Sequence, residues 1–156
     1  MSEQTQSIAS LSAQEKRALL AQLLKKKLKD AKTSFPLSVG QQALWFLYQL
    51  APESAAYNMA STVRIRSQVD LVALRAAFQA LVDRHPMLRV TFRVQDDKPV
   101  QEVHNEQSIA FQSIDAASWS EDELAQRVLV ESRRPFVLEE GPVLRVALFT
   151  CAAEDH

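Results

Sequence analysis

Glycine occurs only twice in this 156-residue chain, at Gly40 and Gly141, and cysteine once, at Cys151. The usual glycine share is about 7%. Loops that cradle phosphate need several closely spaced glycines, so a P-loop or a dinucleotide fingerprint is excluded. A single cysteine excludes an internal disulfide framework and any multi-cysteine zinc site. No apolar run approaches the roughly 18 residues of a membrane span. Met1 to Ser10 is polar and carries no apolar signal core. A cytoplasmic protein without a membrane partner is expected. The apolar share of 47% and charged share of 24% are those of a folded domain.

The net charge of −1 conceals an uneven spread. Up to Thr33 there are seven bases and three acids, giving a head of +4; the remainder has eleven bases and sixteen acids, giving a body of −5. Ser12 and Glu15 form a capping box that opens a helix. Leu19, Leu20, Leu23, Leu24 and Leu28 then fall on one stripe. Lysines gather in its last turns, where the helix dipole favours cations. Asp30 to Pro36 reads as a linker. Residues 1–33 are therefore expected to be a tail plus a basic amphipathic helix, and 34–156 the folded body.

In the body, Ser38 with Gln41 is a capping box for a helix from about Gly40 to Leu50, stopped by Pro52. Leu44, Trp45 and Leu47 read as its core residues. Tyr57 to Arg66 alternates and reads as a strand. Asp70 caps a helix that Pro86 ends. Leu88, Val90, Phe92 and Val94 alternate with Arg89, Thr91, Arg93 and Gln95, which predicts a strand. Asp96-Asp97-Lys98 turns the chain into a returning strand, Val100 to His104. A short strand at Ile109 to Ile114, a helix opened by Ser120 and Glu123, and a strand at Val143 to Thr150 complete the order. Helices mixed with hairpins predict an α+β layered domain.

No catalytic constellation emerges from these residues alone. His85 lies where a helix ends and suits the dipole there; His104 reads as exposed. No two histidines have metal-ligand spacing, and no metal site is expected. Ser38 is explained by capping, and Cys151 has no nearby base to activate it. Acid pairs such as Asp96-Asp97 and Glu139-Glu140 sit in turns. Lys25, Lys26 and Lys27 form either a solvated helix face or a docking surface for an acidic partner. An acidic body without interleaved aromatics argues against nucleic acid.

Two segments carry a resemblance. Ser38-Val39-Gly40-Gln41-Gln42-Ala43-Leu44-Trp45-Phe46-Leu47, followed by Gln49-Leu50 and Tyr57-Asn58, resembles the first core motif of condensation domains of nonribosomal peptide synthetases. Arg84-His85-Pro86-Met87-Leu88-Arg89-Val90-Thr91-Phe92 resembles the second. Arg134-Pro135-Phe136 leading to Gly141-Pro142-Val143-Leu144-Arg145 also fits. Gly40, Ala43, Pro86 and Val90 depart from the family's usual Ala, Arg, Glu and Thr, and suggest a subtype placed after a polyketide synthase module.

The resemblance implies the N-terminal lobe of a chloramphenicol-acetyltransferase-like fold. The family's H-H-x-x-x-D-G motif is not in this sequence. The resemblance therefore implies no catalytic residue here. Ser38, Gln41, Leu44, Trp45, Arg84, His85, Leu88, Arg89 and Phe92 are expected as structural motif residues. Arg89 is expected to pair with an acid from the active-site loop of a complete domain. The implied partners are the remainder of the domain, acyl and peptidyl carrier proteins bearing phosphopantetheine, and an upstream synthase subunit met by the N-terminal helix. No directly bound cofactor is implied. Two other readings stand beside this one: a non-catalytic docking module of a megasynthase, and a stand-alone acyltransferase of the same superfamily.

Overall fold

Three helices of the body begin where a polar side chain closes their first turn. Helix α1 (Val39–Leu50) opens with a reciprocal pair. The Gln41 amide donates to Ser38 Oγ at 3.3 Å, and the Ser38 amide donates to Gln41 Oε1 at 2.9 Å. Helix α2 (Leu71–Arg84) opens with the Ala73 amide on Asp70 Oδ1 at 2.9 Å. Helix α3 (Glu121–Arg133) repeats the reciprocal pair with Ser120 and Glu123. Each cap satisfies amides that have no partner inside the helix.

The computed structural model describes residues 12, 14, 16, 17, 19–21 and 33–156. These divide into two units, Met1–Lys32 and Thr33–His156. In the first, Gln14, Lys16, Arg17, Leu19, Leu20 and Ala21 are helical, and the Lys16 amide donates to the Ser12 carbonyl at 3.0 Å. Glu15, Leu23, Leu24, Leu28 and the run Lys25, Lys26, Lys27 lie outside the described residues.

The second unit is α+β. Strands β1 (Thr33–Pro36), β2 (Val90–Gln95) and β3 (Lys98–Val103) form an antiparallel sheet in the order β1-β3-β2. Asp96 and Asp97 join β2 to β3 with φ of 51° and 59°. Two successive positive φ values give the loop the twist that a two-residue hairpin needs. Strands β4 (Ala110–Asp115) and β5 (Arg145–Thr150) pair in parallel, with α3 in the connection between them. A parallel pair needs such a crossover. Val82, Val90, Ile109 and Ala116 are buried, and the rings of Phe78 and Phe111 lie 6.3 Å apart in the core.

Several expectations are corrected. Residues 33–36 are not linker but an edge strand, because β3 offers them a backbone partner that is distant in sequence. Leu88 and Arg89 belong to a 3-10 turn (Pro86–Arg89), since the proline extends the bend before β2 starts at Val90. Strict alternation fails along β2. Val90 and Thr91 are both buried, whereas Val94, near the hairpin tip, is exposed. Residues 57–66 belong to neither sheet. Their alternating pattern is a strand pattern, but pairing requires a second backbone alongside.

Candidate functional site

The motif residues converge on helix ends rather than on a cleft. Helix α1 turns one narrow face to the sheet, at positions 41, 45 and 48, the spacing of successive turns. Gln41 Nε2 donates to Gln101 Oε1 on β3 at 3.2 Å. Trp45 is buried, with its ring centroid 6.2 Å from that of Phe92 on β2 and 5.4 Å from that of Tyr48. Leu44 and Leu47 flank this stripe and stay exposed, which corrects their reading as core. Ser38 is the N-cap and nothing more.

The second motif closes the C-terminus of α2. His85 is the exposed C-cap residue, and its amide donates to the Leu81 carbonyl at 3.0 Å. Arg84 is exposed in the last turn, and Leu88 is half-buried behind it. Arg89 turns back under the helix. Its Nη1 donates to the Val82 carbonyl at 2.6 Å and also to the Asp83 carbonyl, while Nε donates to the His104 carbonyl at 3.0 Å. Arg89 thus meets three carbonyls within the lobe and no acid. His104 is half-buried, not exposed, because Thr91 Oγ1 meets its Nε2 at 2.8 Å.

The C-terminus of α3 is closed in the same way from two directions. Asn58 Nδ2 donates to the carbonyls of Ser132 at 3.2 Å and Arg134 at 2.9 Å. Arg145 Nη1 donates to the Pro135 carbonyl at 2.8 Å, and its Nη2 bonds the Arg134 carbonyl. Its guanidinium lies 3.9 Å from the centre of the Phe136 ring, a cation–π stack. Burial, with Arg134 beside it, pulls the Arg145 guanidinium below its ordinary value.

Beyond Phe136 the chain runs along the open edge of β2, where the Phe92 amide donates to the Leu138 carbonyl at 2.9 Å. Gly141 sits there at φ +70°, with a Cβ position 3.4 Å from Thr91 Cγ2. Tyr48 secures this segment by donating to Glu139 Oε2 at 2.5 Å. Burial, and then the bond to Glu139, pushes the Tyr48 phenol up. The Tyr48–Glu139 pair went unseen in the sequence, where Glu139 read only as a turn acid.

These side chains hold carbonyls and rings in place. Among the described residues no group of histidine, cysteine or carboxylate side chains has metal-binding geometry, and no helix is long and apolar enough to cross a membrane. Cys151 is half-buried and unpaired with another cysteine.

The sequence model of the condensation domain matches residues 31–156. The chain belongs to the condensation-domain family. It is 36% identical over 125 residues to one of the proteins that make up linear gramicidin synthase in Brevibacillus parabrevis, covering 78% of this chain and 2% of that protein. It is 35% identical over 125 residues to chondramide synthase cmdD of Chondromyces crocatus, with 78% and 3% covered. The solved starter condensation domain of rhizomide synthetase RzmA superposes with a TM-score of 0.70 at 25% identity, covering 79% of this chain and 32% of that one. The chain thus spans a few per cent of the curated relatives and about a third of a solved condensation domain, and it is the N-terminal part of such a domain. The expected layered lobe is the fold observed.

Proposed function

We propose that this lobe is the scaffold half of an amide-forming condensation domain in a nonribosomal peptide synthetase or a hybrid with a polyketide synthase. The observation that carries this reading is the family match over residues 31–156, with all three motif stretches folded as closures of the same lobe. In the complete domain an amine on one carrier protein attacks the thioester carbonyl on another. The C–N bond forms, the C–S bond breaks, and the amine proton leaves with the donor's phosphopantetheine thiol. Ser38, Gln41, Trp45, Arg84, His85, Leu88, Arg89 and Phe92 hold the lobe in shape, and Leu44 lies on its exposed helix face. The residues that move the proton belong to the H-H-x-x-x-D-G motif, which lies elsewhere in the family's chain. Lys25, Lys26 and Lys27 are proposed to dock an upstream synthase subunit.

The test uses donor and acceptor carrier proteins loaded with thioesters. The complete domain is expected to form the amide product, detected by mass spectrometry, and the 156-residue chain alone to form none. Product from the 156-residue chain would favour the stand-alone acyltransferase. Loss of binding to the upstream subunit on deleting residues 1–33 would support docking by the helix, and unchanged binding would refute it.

A further inference from the structure

Met59 to Arg64 is exposed throughout, and among the described residues its backbone makes no hydrogen bond. Met59 is 101% exposed and Val63 73%. At one end of this stretch the chain meets itself. The Ile65 amide donates to the His156 carbonyl at 2.8 Å, and the His156 amide donates to the Ile65 carbonyl at 2.9 Å. That exchange is the hydrogen-bonded pair of an antiparallel ladder. A clamp sits beside it. Arg64 Nε donates to Asp155 Oδ1 at 2.7 Å, and its two terminal nitrogens reach Glu121 at 2.9 and 3.1 Å. The backbone direction at His156 is thus set along the bare edge of residues 59–64.

Resting on the condensation-domain reading, we propose that this edge is the docking site of one strand, the segment that follows the position of His156 in the complete domain. It runs antiparallel, and Arg64 with the Ile65–His156 pair sets its register. The first residue beyond His156 lies opposite Arg64. The second, fourth and sixth exchange both backbone bonds with Val63, Ser61 and Met59, because hydrogen-bonded pairs recur every two residues. A continuing chain needs no loop to reach the edge, so its closure entropy is minimal. A second copy has no such advantage and finds the Ile65 position already taken. The register matters, because a slip of one residue turns every side chain of the docked strand to the other face. Arg64 is a positioning residue in this scheme.

Cysteine cross-linking in the complete domain, with Cys151→Ser as background, tests the register. Thr62→Cys is combined in turn with a cysteine at the second, third or fourth residue beyond His156. Thr62 and the third residue form a non-hydrogen-bonded pair, with Cα atoms about 4.5 Å apart, within the disulfide range of roughly 4.4–6.8 Å. The expected result is an intrachain disulfide with the third position and none with the second or fourth. A disulfide only with a neighbouring position overturns the register. An interchain disulfide assigns the edge to a second copy and overturns the proposal, as does no disulfide at all. Amide exchange on the unsubstituted complete domain stands independently of any folding defect in the variants. Val63, Ser61 and Met59 are expected to exchange at least roughly ten-fold more slowly than in the 156-residue chain; equal rates overturn the proposal. Both measurements read pairing whether or not the domain makes amides, so each claim can fail without the other.

Discussion

Two arginines of the lobe act through carbonyl groups. A helix leaves its last four carbonyls without internal partners, and Arg89 and Arg145 each take up carbonyls at or near one such end. Hydrogen bonds to a charged group contribute about 1.5–3 kcal/mol each, and an uncapped, part-buried carbonyl adds a desolvation cost. Arg89→Ala is therefore expected to lower the unfolding free energy by about 2 kcal/mol or more, read as a fall in the urea midpoint at constant slope. An unchanged midpoint would remove Arg89 from the fold's support. The sequence showed this arginine on a strand facing an acid. Its true role depends on a turn at Pro86 that folds it back beneath α2, and no local pattern announces that turn. Glu102 is likewise buried on β3, with Arg93 Nε at 3.0 Å from its Oε2, in a stretch that reads as polar and exposed. Arg64 gives a pH signature. Its hydrogen bonds hold the carboxyls of Asp155 and Glu121 below their ordinary values. Both groups contribute stability above the carboxylate range of the unfolded chain, and that contribution is lost as pH falls through their lowered folded values. The melting temperature is expected to fall on acidification through the carboxylate range, and to fall less in Arg64→Met.

At the scale of elements, the helices were legible because their signals are local. Ser38, Asp70 and Ser120 mark the starts, and prolines follow the ends. Strands were legible only where a turn brought the partner next in sequence, as in β2 and β3. Strand β1 was missed because its four residues become a strand only through β3, and the parallel pairing of β4 and β5 leaves no mark in either strand. The β2–β3 turn carries an avoidable strain. Asp97 sits at φ 59°, a region that disfavours residues with a Cβ by roughly 1–2 kcal/mol, less for Asp. Asp97→Gly is expected to raise stability by about 0.5 kcal/mol, after the entropy that glycine adds to the unfolded chain. A lower urea midpoint in this variant would contradict the turn geometry. Ser38→Ala removes a cap and is expected to cost about 1 kcal/mol.

For the whole molecule, the surface tells the same story as the motifs. Val39, Phe46, Leu50 and Val72 are exposed on α1 and α2, in addition to Tyr57, Met59 and Val63 along the bare edge. Large apolar surfaces of this kind associate in water. The 156-residue chain is expected to sediment with a mass that rises with concentration, and the combined Phe46→Ser and Leu50→Ser variant to reduce that rise. A single monomeric species at all concentrations would contradict it. The order of the first sheet also has a consequence in time. Strand β1 pairs with β3, whose residues come about seventy positions later, whereas β2 is separated from β3 by two. At a synthesis rate of roughly 5–20 residues per second, a nascent β1 waits roughly 4–14 seconds for its partner. The hairpin, which closes in microseconds, is already there when β1 can join it, so the first strand made on the ribosome is the last of its sheet to be laid down.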